Sequence, residues 1–269
     1  MKRLIACSTA AVLVGAASLT GGVGTTRAAD HIAAPMMSNY SGTLLAPRNG
    51  AKVAGAVAMM ASGGQITVAI TAAGLKPNTR HTVRVNQGAC GGAGHDAMVH
   101  LPQLVADNMG EAHAGVVLPM RSLPAAGYSV TIHDANPALT VLSCGNLHHP
   151  TMVVDVPPII GATVHGTVMM TEPAPVMGNK VMQGTEVIEY ATGMTPGSVY
   201  PTHIHAGPCG TPAPVQYSLL DLVPDAQGHA LSGSGITDMA PMSGVSVHIH
   251  APSWAMVACG NVGAPTPRM

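Results

Sequence analysis

Two stretches in the second half of the chain each place a His-x-His pair near a cysteine. The first is THIHAGPCG, with His203, His205 and Cys209; the second is SVHIHAPSWAMVACGNV, with His248, His250 and Cys259. Residues two apart on a β-strand point to the same face, so each pair presents two imidazoles to one side. A bond between Cys209 and Cys259 would bring the two strands together and let four imidazoles converge. Imidazole nitrogen suits copper and zinc, so the pattern points to a metal site.

The elements that must position these residues are written twice. GLKPNTRHTVRVNQGACG, from Gly74 to Gly91, aligns without a gap on GMTPGSVYPTHIHAGPCG, from Gly193 to Gly210. QLVADNMGEA from Gln103 matches DLVPDAQGHA from Asp221, GYSVTIHD from Gly127 matches GVSVHIHA from Gly244, and LSCGNL matches VACGNV. Four blocks in a constant order mark an internal repeat. The units are predicted at 38–150 and 155–264, joined through MVVDVPPIIG from Met152. Each reads as short runs of Val, Ile, Thr and Met broken by Gly, Pro and Asn, with no sustained 3.6-residue period, which predicts all-β sandwiches. Because the cysteines hold equivalent places in the two units, the economical pairing is Cys90 with Cys144 and Cys209 with Cys259. Each bridge would contribute about 4 kcal/mol in the loop-entropy picture.

The N-terminus, MKRLIACSTAAVLVGAASL followed by TTRAAD, has a basic start, a short apolar run and small residues before Ala28 and Ala29. It reads as a secretory signal over 1–29 and not as a membrane span, which places the protein outside the cell or in its envelope. Cys7 precedes any apolar region of useful length, so lipid attachment there is not expected. Removing the signal takes Lys2, Arg3 and Arg27 from 11 basic residues and leaves all 12 acidic ones, a mildly acidic remainder ill suited to nucleic acid. Four cysteines then remain, an even number that suits disulfides in an exported chain. With 47% hydrophobic residues a core is affordable, and without Phe it must be built from Val, Ala, Ile, Leu and Met.

These residues resemble the copper/zinc superoxide dismutase family, especially its divergent secreted bacterial members. The resemblance covers both units and implies tandem Greek-key β-sandwiches. It makes His203 and His205 the strand pair that binds copper, His250 the late copper histidine, and Cys209 with Cys259 the family disulfide. Asp221 falls where the family has a zinc-binding aspartate. Only eleven residues separate Cys209 from Asp221 and none is His, so the bridging histidine is missing and zinc is not expected. His248, on the same strand face as His250, then stands as the fourth copper ligand. Met256 replaces the arginine that guides superoxide in the family, which weakens steering of an anion. In the first unit Arg84 and Asn86 replace the His-x-His pair and Thr131 replaces His248, leaving His133 as the matched ligand. His100 is placed like a family zinc ligand and His95 lies nearby, but Gln103 replaces the aspartate. The first unit is expected to be a structural partner without copper.

Two functions follow from the resemblance. Either His203, His205 and His250 are catalytic and convert superoxide to oxygen and hydrogen peroxide, or the protein binds and buffers copper ions without catalysis. A metal-free envelope sandwich is the third alternative. The 18 methionines suit Cu(I), yet without Phe they also fill core gaps, and the recurrence of Met59-Met60 and Met169-Met170 favours packing. His81, His95, His100 and His133 are expected to be ordinary polar positions. Trp254 either shields the site or covers an edge. The Gly-rich segments lack a phosphate-loop context, and no nucleophile elbow is present.

Overall fold

Ser62-Gly63-Gly64-Gln65 shows how turn chemistry sets the strands. Gly63 and Gly64 have φ of 58° and 78°, the two left-handed positions of a tight hairpin turn, and Ser62 pairs with Gln65 across it. The computed structural model describes residues 39–91, 97–119, 127–136, 139–171, 184–237 and 244–263. The signal segment, Cys7 and His95 lie outside these residues. The described residues belong to one compact body and contain 16 strands, with no α-helix among them.

The first half supplies β1 (Tyr40–Pro47), β2 (Ala54–Ser62), β3 (Gln65–Ala73), β4 (Arg80–Gln87), β5 (Ala97–Val105), β6 (Ala112–Leu118), β7 (Tyr128–His133) and β8 (Val141–Asn146). The second supplies β9 (Met152–Val156), β10 (His165–Thr171), β11 (Thr185–Thr192), β12 (Thr202–Ala206), β13 (Val215–Ser218), β14 (Ala230–Ile236), β15 (Val245–His250) and β16 (Met256–Val262). All pairings between them are antiparallel. The first half forms one eight-stranded sheet in the order β5-β4-β7-β8-β1-β2-β3-β6. The second forms two four-stranded sheets, β13-β12-β15-β16 and β14-β11-β10-β9.

The strand order is the same in both halves, and the difference lies at one seam. In the first half Ala46 and Pro47 of β1 pair with Cys144 and Ser143 of β8, which makes the sheet continuous and nearly barrel-like. In the second half Pro158 matches Pro47, but Pro157 takes the place of Ala46 and supplies no N–H, so the ladder shrinks to a Pro158–Ala258 bridge flanked by Cys259 N–H to Pro157 O at 3.1 Å and Ile159 N–H to Val257 O at 3.0 Å.

Each half encloses its own core. Leu45, Val57, Met59, Val68, Val83, Leu104 and Ile132 are buried in the first; Val168, Met170, Val187, Ile204, Leu222, Val247 and Ile249 are buried in the second. A third cluster, Ala56, Ala58, Ala69, Met169, Ile188 and Leu231, packs β2 and β3 against β10, β11 and β14. Strands β2, β10 and β11 are therefore buried on both faces, which is why AGAVAMMAS runs apolar without alternating. Met59, Met169 and Met170 all sit in these cores, while Met60 is half-buried. The junction is tight: a Cβ on Gly233 would lie 2.4 Å from Leu44 Cδ2 and 2.7 Å from Ala56 Cβ.

Strand β11 also buries two acids on opposite faces. Glu189 points into the second core, where it accepts a hydrogen bond from Ser232 Oγ at 3.0 Å and burial pushes its carboxyl up to about 8. Glu186 points into the junction, where it accepts from the Leu44 N–H and lies 3.0 Å from His148 Nε2. The disulfides are Cys90–Cys144 and Cys209–Cys259, the pairing read from the repeat. Two such bonds fit an oxidising compartment. No helix among the described residues is long and apolar enough to cross a membrane.

Candidate metal centre

Strands β12 and β15 lie side by side, with Thr202 opposite Ile249, His203 opposite His248 and His205 opposite Ser246. Alternation sends Thr202, Ile204, Val247 and Ile249 inward, where each is buried, and sends the histidines to the outer face. A register shift between Ile249 and His250 sets His250 opposite Met256 of β16. His203, His205 and His250 gather on this face: one ring nitrogen of each lies within 4.8 Å of one from each of the others.

Backbone carbonyls fix the tautomers of two of the three rings. His205 Nδ1 is 2.9 Å from Ala213 O, and His250 Nδ1 is 3.2 Å from Trp254 O. A carbonyl only accepts, so each Nδ1 carries the hydrogen and each Nε2 keeps its lone pair for the cluster. Both of these Nε2 atoms, and His203 Nδ1, are buried and have no hydrogen-bond partner. Three buried nitrogens without partners, on three rings whose nitrogens come within 4.8 Å of one another, make an arrangement that a metal ion would satisfy, and unpaired buried polar atoms are costly otherwise. Burial and the neighbouring imidazoles hold His203 below the ordinary histidine range, opposed by Asp221. Burial holds His250 below it as well, and the Trp254 carbonyl works the other way. His203 and His250 therefore disfavour protons and keep their lone pairs available.

His248, expected as the fourth ligand, is not one of these three, and its Nε2 meets a hydroxyl. Ser246 Oγ donates to Gly207 O at 2.9 Å and so accepts from His248 Nε2 at 2.8 Å, which puts the His248 proton on Nε2. The His248 ring is 6% exposed and stacks on His205, with centroids 4.1 Å apart and planes 16° apart. Burial and the three other imidazoles push it down to about 4. It also lies within 4.8 Å of the sulfurs of Cys209 and Cys259, but these are bonded to each other and offer no thiolate. His248 is thus a neutral wall behind His205.

The first half fills the same positions differently. Asn86 Nδ2 donates to Thr131 Oγ1 at 2.9 Å, and that hydroxyl lies 2.8 Å from His133 Nε2. His133 Nδ1 is 2.6 Å from Leu139 O, so both of its nitrogens are occupied. Arg84 takes the place of His203, and its charge adds to burial in holding His133 low. Hydrogen bonds thus occupy both nitrogens of His133, while Arg84 Nε, in the place of His203, is buried without a partner. His81 is fully buried between Thr79 Oγ1 and His133 O, and His100 is exposed opposite Arg84. Asp221 is exposed and belongs to neither ligand group found among the described residues.

Sequence reading found the imidazoles but not what orients them. The carbonyls of Ala213 and Trp254 carry no residue-type signal, and Ser246 and Thr131 look like any strand residue. Fold and site together define a class, an all-β protein with a three-histidine cluster on the outer face of one sheet. No family model matches the chain, and no curated protein matches it.

Proposed function

We propose that this is an exported copper-binding protein of two superoxide dismutase-like Greek-key units, over 38–150 and 155–264, with one mononuclear site in the second. The observation that carries the reading is the trio of buried, unpartnered nitrogens His203 Nδ1, His205 Nε2 and His250 Nε2. An all-nitrogen imidazole set suits copper as well as zinc, and the preference for copper rests on the resemblance, whose zinc-loop histidines have no counterpart between Cys209 and Asp221. Bound copper would supply one-electron chemistry, oxidising one superoxide and reducing the next. The chain's part is to hold the ion through three nitrogens, fix the rings through the Ala213 and Trp254 carbonyls, and keep His248 neutral behind them.

A second reading, copper binding or buffering without useful catalysis, is favoured by one feature. From Val199 to Ser218 and from Gly244 to Gly263 there is no Asp, Glu, Lys or Arg, so the sheet that bears the cluster has no charge of its own to draw in an anion. Met256, opposite His250, is part of that neutral face.

The test is metal content per mature chain after reconstitution and desalting, comparing wild type with His203→Ala/His205→Ala. One copper in the wild type and none in the variant is expected. Copper retained by the variant, or absent from the wild type, would sink the site. If the loaded chain disproportionates superoxide no faster than copper-free buffer, the buffering reading stands and the enzymatic one falls.

A further inference from the structure

Trp254 is the chain's one tryptophan, and it sits in an unusual conformation beside the cluster. Its φ is +67°, a left-handed backbone that bulky residues avoid, and its side chain is 66% exposed. The conformation has a local cause. Trp254 N–H donates to Ala251 O at 2.8 Å and Ala251 N–H to Ala255 O at 2.7 Å, a tight turn that swings the Trp254 carbonyl onto His250 Nδ1.

The first half uses the same device with a different side chain. Leu139 has φ +49°, and its carbonyl meets His133 Nδ1. Glycine or asparagine would present that carbonyl with less strain. The carbonyl explains the backbone in both halves; it does not explain an indole in the half with the open cluster. There the indole lies nearly parallel to the His203 ring, 15° between planes and 6.0 Å between centroids, and 6.4 Å from the His250 ring. No charged residue lies in either segment around it to sort approaching ligands by sign.

We infer that Trp254 is a specificity-determining cover, which leans over the His203–His250 side of the site and admits only small inorganic ligands of the size of water, dioxygen species or azide. Selection by the strands of this face is by size, because they carry no charged side chain. This rests on the copper reading above and narrows it to a class of substrate. The indole stacks beside the His203 ring with 6.0 Å between centroids and holds no metal, so its removal changes access and leaves the three donor nitrogens in place.

The experiment compares copper-loaded wild type with Trp254→Gly, which keeps the left-handed backbone and the carbonyl, and Trp254→Leu, which copies the first half. Two readouts are taken, the rate at which EDTA strips the copper and the visible-band titration with azide and with 4-phenylimidazole. In Trp254→Gly, stripping should quicken about tenfold and the bulky ligand should bind about tenfold more tightly, the scale of one lost aromatic contact, while azide binding stays within about twofold. Trp254→Leu should fall between. Copper held by all three proteins with the same stripping rates and the same ligand ranking would overturn the cover alone. Wild type that holds no copper, with Trp254 fluorescence unchanged by Cu(II), would overturn the site and the cover together.

Discussion

At the scale of single residues, the second half differs from the first by which nitrogen lone pairs are left unspoken for. His133 and His250 occupy matching strand positions and give Nδ1 to a matching carbonyl, yet Thr131 fills the remaining nitrogen of one and nothing fills that of the other. His248 has its proton on Nε2 and a hydroxyl in front of it, which makes it a positioning residue for His205. His248→Gln should therefore keep one copper per chain while weakening it about tenfold, as loss of an outer partner does, whereas His250→Gln should lose the metal outright. Equilibrium competition against a chelator of known affinity separates the two; equal loss in both variants would restore His248 to the ligand set. The residue types of this site were legible in the sequence. The gathering of three of the four histidines, with the Nε2 of the fourth bonded to Ser246, was not, because it depends on Ser246, Gly207 and the Ala213 and Trp254 carbonyls, whose positions only the folded backbone supplies.

At the scale of elements, the two disulfides look equivalent and are expected to differ in consequence. Each closes a loop of similar length, with sequence separations of 54 and 50, so each should contribute about 4 kcal/mol by the same entropy argument. Both carry the same brace, Cys90 N–H to Asn146 Oδ1 and Cys209 N–H to Asn261 Oδ1, each at 2.7 Å, but their strand neighbours differ: Cys259 pairs directly with His248 in the β15–β16 ladder, whereas Cys144 stands opposite Thr131. Cys209→Ser/Cys259→Ser should lower both the thermal midpoint and copper affinity, the latter about tenfold. Cys90→Ser/Cys144→Ser should lower the midpoint alike and leave copper alone, and equal copper loss in the two would show that the bridges act only through global stability. The repeat made the strands and this pairing readable, since β4 and β12, β7 and β15, β8 and β16 come from aligned blocks. It could not reveal that β8 joins β1 by a ladder while β16 packs closely on β9 with only one bridge and its flanking hydrogen bonds. That contrast turns on Pro157 standing where the first half has Ala46, at a seam between strands more than ninety residues apart in the chain.

At the scale of the whole molecule, the two halves are joined through a face that no motif announces. Alanines at 56, 58 and 69 and the missing Cβ of Gly233 let the sheets approach, and Ile188, Met169 and Leu231 fill what remains. Within this apolar contact the Glu186 carboxylate is 1% exposed, held by the Leu44 N–H and by His148, so residues from both halves meet at one charge. Burial alone would lower His148; the hydrogen bond and charge of Glu186 outweigh it and raise the imidazole above its ordinary value. A histidine whose folded pKa is raised stabilises the fold fully at pH below its unfolded value of 6.5, and that contribution fades as pH climbs through the folded value. His148→Gln keeps a donor for Glu186 and removes the charge. It should cost about 1 kcal/mol at about pH 5.5 and close to nothing at about pH 9, read as the gap between wild-type and variant urea midpoints. A gap that stays constant with pH would mean that the contact acts as a neutral hydrogen bond. The cluster sits on the outer face of the β12–β15 pair, and Glu186 and His148 belong to the junction, so copper stoichiometry should be the same in this variant as in wild type at either pH where wild type is loaded. If copper were lost together with the junction charge, the two halves would be one cooperative unit around the site, and the first half would be required for binding and not only for packing.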